Sequence, residues 1–265
     1  MGKKVLFINQ EIAPYVPNSE MSIFGADMPQ HMQDAGFEIR TFMPKWAAIN
    51  ERRGQLHEVI RLSGMNLVIN DVDMPLIIKV ASIQKERMQV YFIDNDEYFK
   101  LENSFDKGGK LYPDNDERCI FFAKGILETV RKLNWSPDLI HIQGWLGSLL
   151  PLYLHTYYKE DPIFSHTKVI TSFLREPFEG NLNEALLKKM AFDDITAKIA
   201  PELKTPNSIS LIKIASRYSD AITTVKGVLP TELISYIESL QKPFLMEEEE
   251  SLQKAYPPFY KEIIH

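Results

Sequence analysis

The sequence predicts an α/β fold, a doubly wound and mostly parallel Rossmann-like sheet. Short, continuous apolar runs recur along the chain, and such runs are typical of strands that helices cover on both faces. Helical periodicity occupies the intervals between them, so strands and helices alternate, as in a doubly wound sheet. The predicted strands are Lys4–Asn9, Glu38–Met43, Gln89–Asp94, Leu139–His141, Thr167–Ser172 and Ala221–Val225.

Three helices are predicted from the spacing of apolar residues. In the run Asn115–Leu133, Phe122 and Ile126 begin a row of apolar side chains on one helical face. A second helix is predicted over Ser208–Tyr218. A third is predicted to start near Pro230, because proline suits the first turn of a helix.

The remaining segments are predicted from turn signals and composition. The region from Met65 to Gln84 is expected to add a hairpin or edge strands, with a turn at Asp71–Pro75. Phe105–Lys110 is expected to be an exposed loop. The chain divides into a domain over residues 1–241 and a tail over residues 242–265, which is acidic and then aromatic. We expect the tail to dock on the domain; a partner-binding segment is the alternative.

Composition excludes several classes of protein. The net charge of -6 gives no reason to expect nucleic acid, which binds basic surfaces. No apolar stretch approaches the roughly 18 residues that span a bilayer, and no targeting segment is evident. The single cysteine, Cys119, excludes an intramolecular disulfide, and its apolar neighbours indicate a core residue. We therefore expect a cytoplasmic protein that binds neither nucleic acid nor membrane.

Two consecutive motifs resemble a known family. Tyr112-Pro113-Asp114-Asn115, with Arg118, leads through a helical run to Ser136–His141. This order closely resembles the bacterial glycogen synthase and plant starch synthase family, glycosyltransferase family five, whose enzymes move glucose from ADP- or UDP-glucose to an α-1,4-glucan. The resemblance covers roughly Lys3 to Ile237 and implies the N-terminal half of a GT-B glycosyltransferase.

The loops that hold ligands in that family are altered in this chain. The family's His-Asp-Trp-His cluster is replaced by Gln143-Gly144-Trp145-Leu146, in which only Trp145 matches. The family's Lys-Thr-Gly-Gly-Leu run is replaced by Pro17–Met21. Within it, proline removes an amide donor and Glu20 places a negative charge where a diphosphate would lie. A family His-Asn pair becomes Leu174-Arg175.

The resemblance still implies substrate-binding residues beyond the carboxyl ends of the strands, where open α/β sheets bind ligands. No catalytic residue can be assigned, because the charged residues of the cluster are replaced. The histidines show no spacing typical of metal ligands, so neither a metal nor a cofactor is expected. The predicted substrate-binding residues are Glu11, Asp114, Asn115, Arg118, His141, Gln143, Trp145 and Arg175.

Structural alternatives stay open for several of these residues. Trp145 is also expected to pack in the core against the following helix. Asp114 and Asn115 are also good residues for the N-cap of a helix. Arg175 can either bind an anion or form a surface ion pair with a neighbouring glutamate, Glu176 or Glu179.

The resemblance implies a glycogen or starch synthase-like glycosyltransferase homologue. Its altered loops predict a pseudoenzyme. Since the family's second domain, beyond this sequence, holds most nucleotide contacts, we also expect impaired catalysis by this chain alone. The expected ligands are an α-glucan or a nucleotide sugar, and the expected partner is a second chain that supplies the C-terminal GT-B domain. The alternative is a non-catalytic α-glucan-binding or regulatory partner of a full-length synthase.

Overall fold

The computed structural model describes residues 2–16, 19–83, 88–103, 109–175 and 177–264. Pro17, Asn18, Glu176 and residues 105–108 of the predicted exposed loop lie outside the described residues. The strands are β1 (Lys4–Asn9), β2 (Glu38–Pro44), β3 (His57–Glu58), β4 (Met65–Ile69), β5 (Val72–Ile83), β6 (Met88–Asp94), β7 (Leu139–Gln143), β8 (Lys168–Phe173), β9 (Ala221–Val225) and β10 (Phe244–Glu247). The helices are α1 (Glu20–Asp34), α2 (Glu51–Gly54), α3 (Asn115–Leu133), α4 (Leu150–His155), α5 (Leu186–Met190), α6 (Ser208–Tyr218), α7 (Thr231–Ser239) and α8 (Glu249–Ile263).

The strands form one mostly parallel sheet with the order β10-β9-β8-β7-β1-β2-β6-β5-β3, and β4 pairs with β5. Every pair from β10 to β6 is parallel, whereas β3, β4 and β6 pair with β5 in the antiparallel direction. The strand order reverses direction at β1, between β2 and β7. The predicted doubly wound, mostly parallel α/β sheet is therefore confirmed.

Both faces of the central strands are buried, which explains their continuous apolar sequences. Along β1, Leu6 and Ile8 join the core beneath α3, α4 and α6, whereas Val5 and Phe7 join the core beneath α1 and α8. Side chains alternate between the faces of a strand, so a strand covered on both sides needs apolar residues at nearly every position. Polar residues in such a strand need a partner from the covering helices.

The predicted helices are confirmed, and the predicted turn is shifted. The bounds of α3 and α6 coincide with the predicted ranges, and α7 begins directly after Pro230. The hairpin between β4 and β5 turns at Asn70-Asp71, both with positive φ, so Val72–Pro75 belongs to β5. A two-residue turn of this kind requires positive φ at both residues, which Asn and Asp tolerate. Within the described ranges, no helix is long and apolar enough to cross a membrane.

The C-terminal segment adds a strand and a helix to the same sheet. β10 pairs with β9 in parallel, and α8 packs on the face of the sheet that α1 also covers. Tyr256 and Tyr260 of α8 are fully buried there. The acidic run continues from the end of β10 into the first turn of α8, where carboxylates oppose the positive end of the helix dipole. The boundary between residues 241 and 242 stays a prediction.

We expect Gly25→Ala to lower the free energy of unfolding by about 1–3 kcal/mol, the usual effect of overpacking. A Cβ at Gly25 would lie 2.3 Å from the carbonyl oxygen of Glu11, so α1 or the loop after β1 would have to move. Gly125→Ala in α3 is the matched control, since its Cβ meets methyl groups at 3.2 Å, which can adjust. Urea unfolding of both variants measures the difference; equal effects would contradict the prediction.

Candidate functional site

A pocket of about 230 Å³ opens at the carboxyl edge of the sheet, beside the point where the strand order reverses. Open α/β sheets bind ligands at this place. A larger cavity of about 710 Å³ opens at the opposite edge, but its lysines Lys3, Lys159 and Lys168 form ion pairs with Asp138, Glu160 and Asp220 respectively. The smaller pocket, called the edge pocket here, is lined by the loops after β1 (Gln10, Glu11), β7 (Gly144, Trp145) and β8 (Leu174, Arg175, Phe178), with Ser172, Ser208 and Met21.

Gly144 brings the loops after β1 and β7 together. Its φ is +90°, and a Cβ there would lie 2.8 Å from the Cβ of Gln10. The Oε1 atom of Gln10 accepts a hydrogen bond from the backbone amide of Leu146 at 3.3 Å. Only glycine combines this backbone conformation with so close an approach. Gly144, which stands where the family has an aspartate, therefore lines the pocket and allows the two loops to approach each other.

An aromatic pair forms one wall of the edge pocket. The ring of Trp145 lies 4.8 Å from the ring of Phe178, at an interplanar angle of 55°. The hydroxyl of Ser208, at the start of α6, donates to the carbonyl oxygen of Phe178 at 2.7 Å and holds that loop in place. Both aromatic side chains are only partly buried. Trp145 thus packs against the core, as its structural alternative predicted, and also lines the pocket.

The two charged residues among the described lining residues are both paired. Glu11 accepts a hydrogen bond from the hydroxyl of Ser19, the N-cap residue of α1. Arg175 forms ion pairs with Glu20 and Glu249, each at 3.1 Å. Its described partners therefore come from α1 and α8. No ion pair joins it to Glu179, and Glu176 lies outside the described residues. Among the described lining residues, the charge of Arg175 is opposed by two carboxylates, whereas the carboxylate of Glu11 has only a neutral hydroxyl as partner.

His141 lies away from the edge pocket, buried beneath α8. Its Nδ1 atom contacts the hydroxyl of Tyr260 and its Nε2 atom contacts the hydroxyl of Ser172. Ser172 in turn bonds to Tyr256 at 2.9 Å, and Tyr256 bonds to Thr223 at 2.7 Å. Burial lowers the pKa of His141 to about 3, so the imidazole is neutral at physiological pH. The structure thus places His141 in a hydrogen-bonded core cluster.

Gln143 is also buried and does not line the edge pocket. It lies beside Asn9 of β1 and Ser172 of β8 in the sheet register, and it is 1% exposed. Its side-chain amide makes no hydrogen bond with the residues that the structure describes, and neither does the Oδ1 atom of Asn9. A water molecule is the usual partner of such neighbouring buried amides.

Asp114, Asn115 and Arg118 form a cluster of their own at the start of α3. Arg118 is 1% exposed and donates to Asp114, to Asn115 and to the carbonyl oxygen of Tyr98, each at 2.7 Å. Asp114 occupies the N-cap position, but its side chain makes no capping hydrogen bond. The side chains of Asp114 and Asn115 instead hold the buried guanidinium, so Asp114 takes the predicted N-cap position without a capping hydrogen bond.

The structure therefore brings three of the eight predicted residues, Glu11, Trp145 and Arg175, into one pocket. The substrate-binding roles of all eight stay predictions. Sequence reasoning missed Ser172 and Ser208, although the position of Ser172 at the end of a predicted strand was a usable signal. Among the described residues, no group of three His, Cys, Asp or Glu side chains is arranged to hold a metal ion.

Comparison with known proteins places this chain in a family. Residues 4–242 match the family model described as the starch synthase catalytic domain. The chain is 32% identical over 234 residues to the glycogen synthase of Chlorobium limicola, an alignment that covers 87% of this chain and 47% of that protein. It is 36% identical over 202 residues to the glycogen synthase of Chlorobium chlorochromatii, covering 74% and 40% respectively. The chain thus spans about half the length of these relatives.

A solved structure supports the same fold. The catalytic domain of starch synthase IV from Arabidopsis thaliana, bound to ADP and acarbose, superimposes with a TM-score of 0.78. The sequence identity is 17%, and the match covers 94% of this chain and 52% of that one. At this identity the likeness concerns the fold.

We expect the free energy of unfolding to rise with pH between about pH 4 and 6.5, partly because of His141. The unfolded chain binds a proton at His141 near its ordinary pKa of 6.5, whereas the folded state resists it down to about 3. Stability is therefore lost as pH falls, by up to about 1.4 kcal/mol per pH unit from this residue. His141→Gln should flatten the slope measured by urea unfolding, and His57→Gln, at an exposed histidine, is the control. An unchanged slope in His141→Gln would contradict the prediction.

Proposed function

The chain belongs to the family of starch synthase catalytic domains, and from this premise we propose that it binds an α-glucan in the edge pocket without transferring glucose by itself. The family resemblance predicted from the sequence motifs is confirmed by the match over residues 4–242. Family membership fixes the ancestry of the fold. Function has to be argued from the site.

The aromatic wall of the edge pocket carries this proposal. The partly exposed rings of Trp145 and Phe178 offer apolar faces, which complement the C–H faces of a glucose ring. Hydroxyl and amide groups of Ser148, Ser208 and Gln10 also line the pocket and suit the hydroxyls of a sugar. The volume of about 230 Å³ is below the roughly 300–1,000 Å³ of pockets that enclose larger ligands, so it fits a single sugar ring.

Among the residues that the structure describes, the same pocket lacks groups that would drive glucose transfer. Gly144 has no side chain, Leu146 is fully buried, and the neutral amide of Gln143 lies outside the lining. Glu11 and Arg175, the charged lining residues, are engaged by other protein groups. The loss of one positioned proton-transfer or electrostatic group typically slows a reaction by about 100- to 1,000-fold. Several such losses together support binding without transfer.

The family match favours a second candidate, the family reaction itself. In that case a partner chain would supply the nucleotide-binding half of a GT-B cleft, and glucose would pass from ADP- or UDP-glucose to the glucan. Catalysis by positioning needs both walls of such a cleft. Alternatively, a full-length synthase would use this chain as a glucan-binding regulatory partner.

We expect the protein to migrate more slowly in native gels that contain glycogen than in gels without it. Trp145→Ala should weaken the apparent affinity roughly tenfold, since it removes half of the aromatic wall. Phe192→Ala, at an aromatic residue that is 52% exposed and does not line the edge pocket, is the matched control. Unchanged mobility of the unmodified protein in glycogen would refute glucan binding.

We also expect no incorporation of labelled glucose into glycogen when the purified chain is incubated with ADP-glucose or UDP-glucose. An active glycogen synthase under the same conditions is the positive control. Incorporation above the buffer blank would contradict the proposal and favour the family reaction. Incorporation only after addition of a purified partner chain would support the second candidate.

A further inference from the structure

Arg175 is the one cation among the described residues that line the edge pocket, and two carboxylates hold it from different parts of the fold. Glu20 is the first residue of α1, and Glu249 is the first residue of α8. Each lies 3.1 Å from the same terminal nitrogen of Arg175, whose other terminal nitrogen donates to the carbonyl oxygen of Leu174 at 2.6 Å. The side chain of Arg175 is 29% exposed and lines the pocket, so a ligand there would meet it.

We propose that Glu20 and Glu249 determine specificity by occupying Arg175, so that the edge pocket accepts neutral sugars and rejects ligands that carry phosphate. This inference rests on the proposed function for the identity of the pocket, but it concerns which ligands the pocket excludes. One cation with two carboxylates leaves a local net charge of -1. A diphosphate would have to displace both carboxylates and approach against their charge.

The position of the two carboxylates makes this arrangement persistent. Both stand in the first turn of a helix, where the positive end of the helix dipole stabilises a carboxylate. Glu249 is further fixed because α8 is anchored through Tyr256 and Tyr260, which are fully buried and bonded to residues of the sheet. The C-terminal helix therefore brings one of the two excluding charges to the pocket.

The test measures binding of inorganic pyrophosphate by isothermal titration calorimetry. The double variant Glu20→Gln/Glu249→Gln should gain binding of pyrophosphate, because Arg175 is then uncompensated, with affinity at least roughly tenfold above the unmodified protein. The gained binding should weaken with added salt. Adding Arg175→Ala to the double variant should abolish it.

The matched control is Glu232→Gln/Glu238→Gln in α7, which changes the net charge equally at exposed positions. Circular dichroism of each variant establishes that it is folded. No pyrophosphate binding by the folded Glu20→Gln/Glu249→Gln variant would overturn the inference. Equal gains in the α7 control would also overturn it, because net charge alone would then explain the effect.

Glucan binding by the unmodified protein is measured separately in glycogen gels. Absence of glucan binding together with a gain of pyrophosphate binding in the double variant would refute the proposed function and uphold the role of the two carboxylates. Glucan binding without any gain of pyrophosphate binding would do the reverse.

Discussion

Burial of polar side chains in the centre of the sheet is the constraint on which the rest of this structure depends. His141, Ser172 and Thr223 lie on three neighbouring strands and point to the face beneath α8. A buried polar group without a partner costs about 1–3 kcal/mol, so such a row is stable only if something bonds to it. The hydroxyls of Tyr256 and Tyr260 meet this need. The sheet therefore fixes the position of the C-terminal helix.

That fixed position links the core to the edge pocket. The first residue of α8 is Glu249, which reaches Arg175 at the mouth of the pocket. Ser172 belongs to both places, because its hydroxyl contacts His141 and it also lines the pocket. The carboxyl edge of the sheet, which holds the edge pocket, is thus connected through Ser172 and Arg175 to the packing of α8.

Much of the fold could be predicted from the sequence, because strands buried on both faces leave unbroken apolar runs. α1 was not predicted: it contains Gly25 and Pro29, which weaken a helical pattern. In the site, the rule that ligands bind at the carboxyl edge located Glu11, Trp145 and Arg175. The rule could not tell that His141 turns beneath α8, since the facing of a strand residue depends on how the strand is covered. The ion pairs of Arg175 join segments far apart in sequence, so no local pattern reveals them.

The ion pairs of Arg175 fit the proposed selection of ligands better than a role in folding stability. Pairs between exposed groups contribute about 0–1 kcal/mol to stability, and the side chain of Glu20 is 79% exposed. The same charge acts at short range on any anion that enters the pocket, and water is partly displaced there, which strengthens the repulsion. A lysine or arginine at position 20 would place a second positive charge beside Arg175 and favour the binding of a phosphate. Under the proposed specificity, glutamate at position 20 instead disfavours a phosphate in the edge pocket without altering the fold of α1.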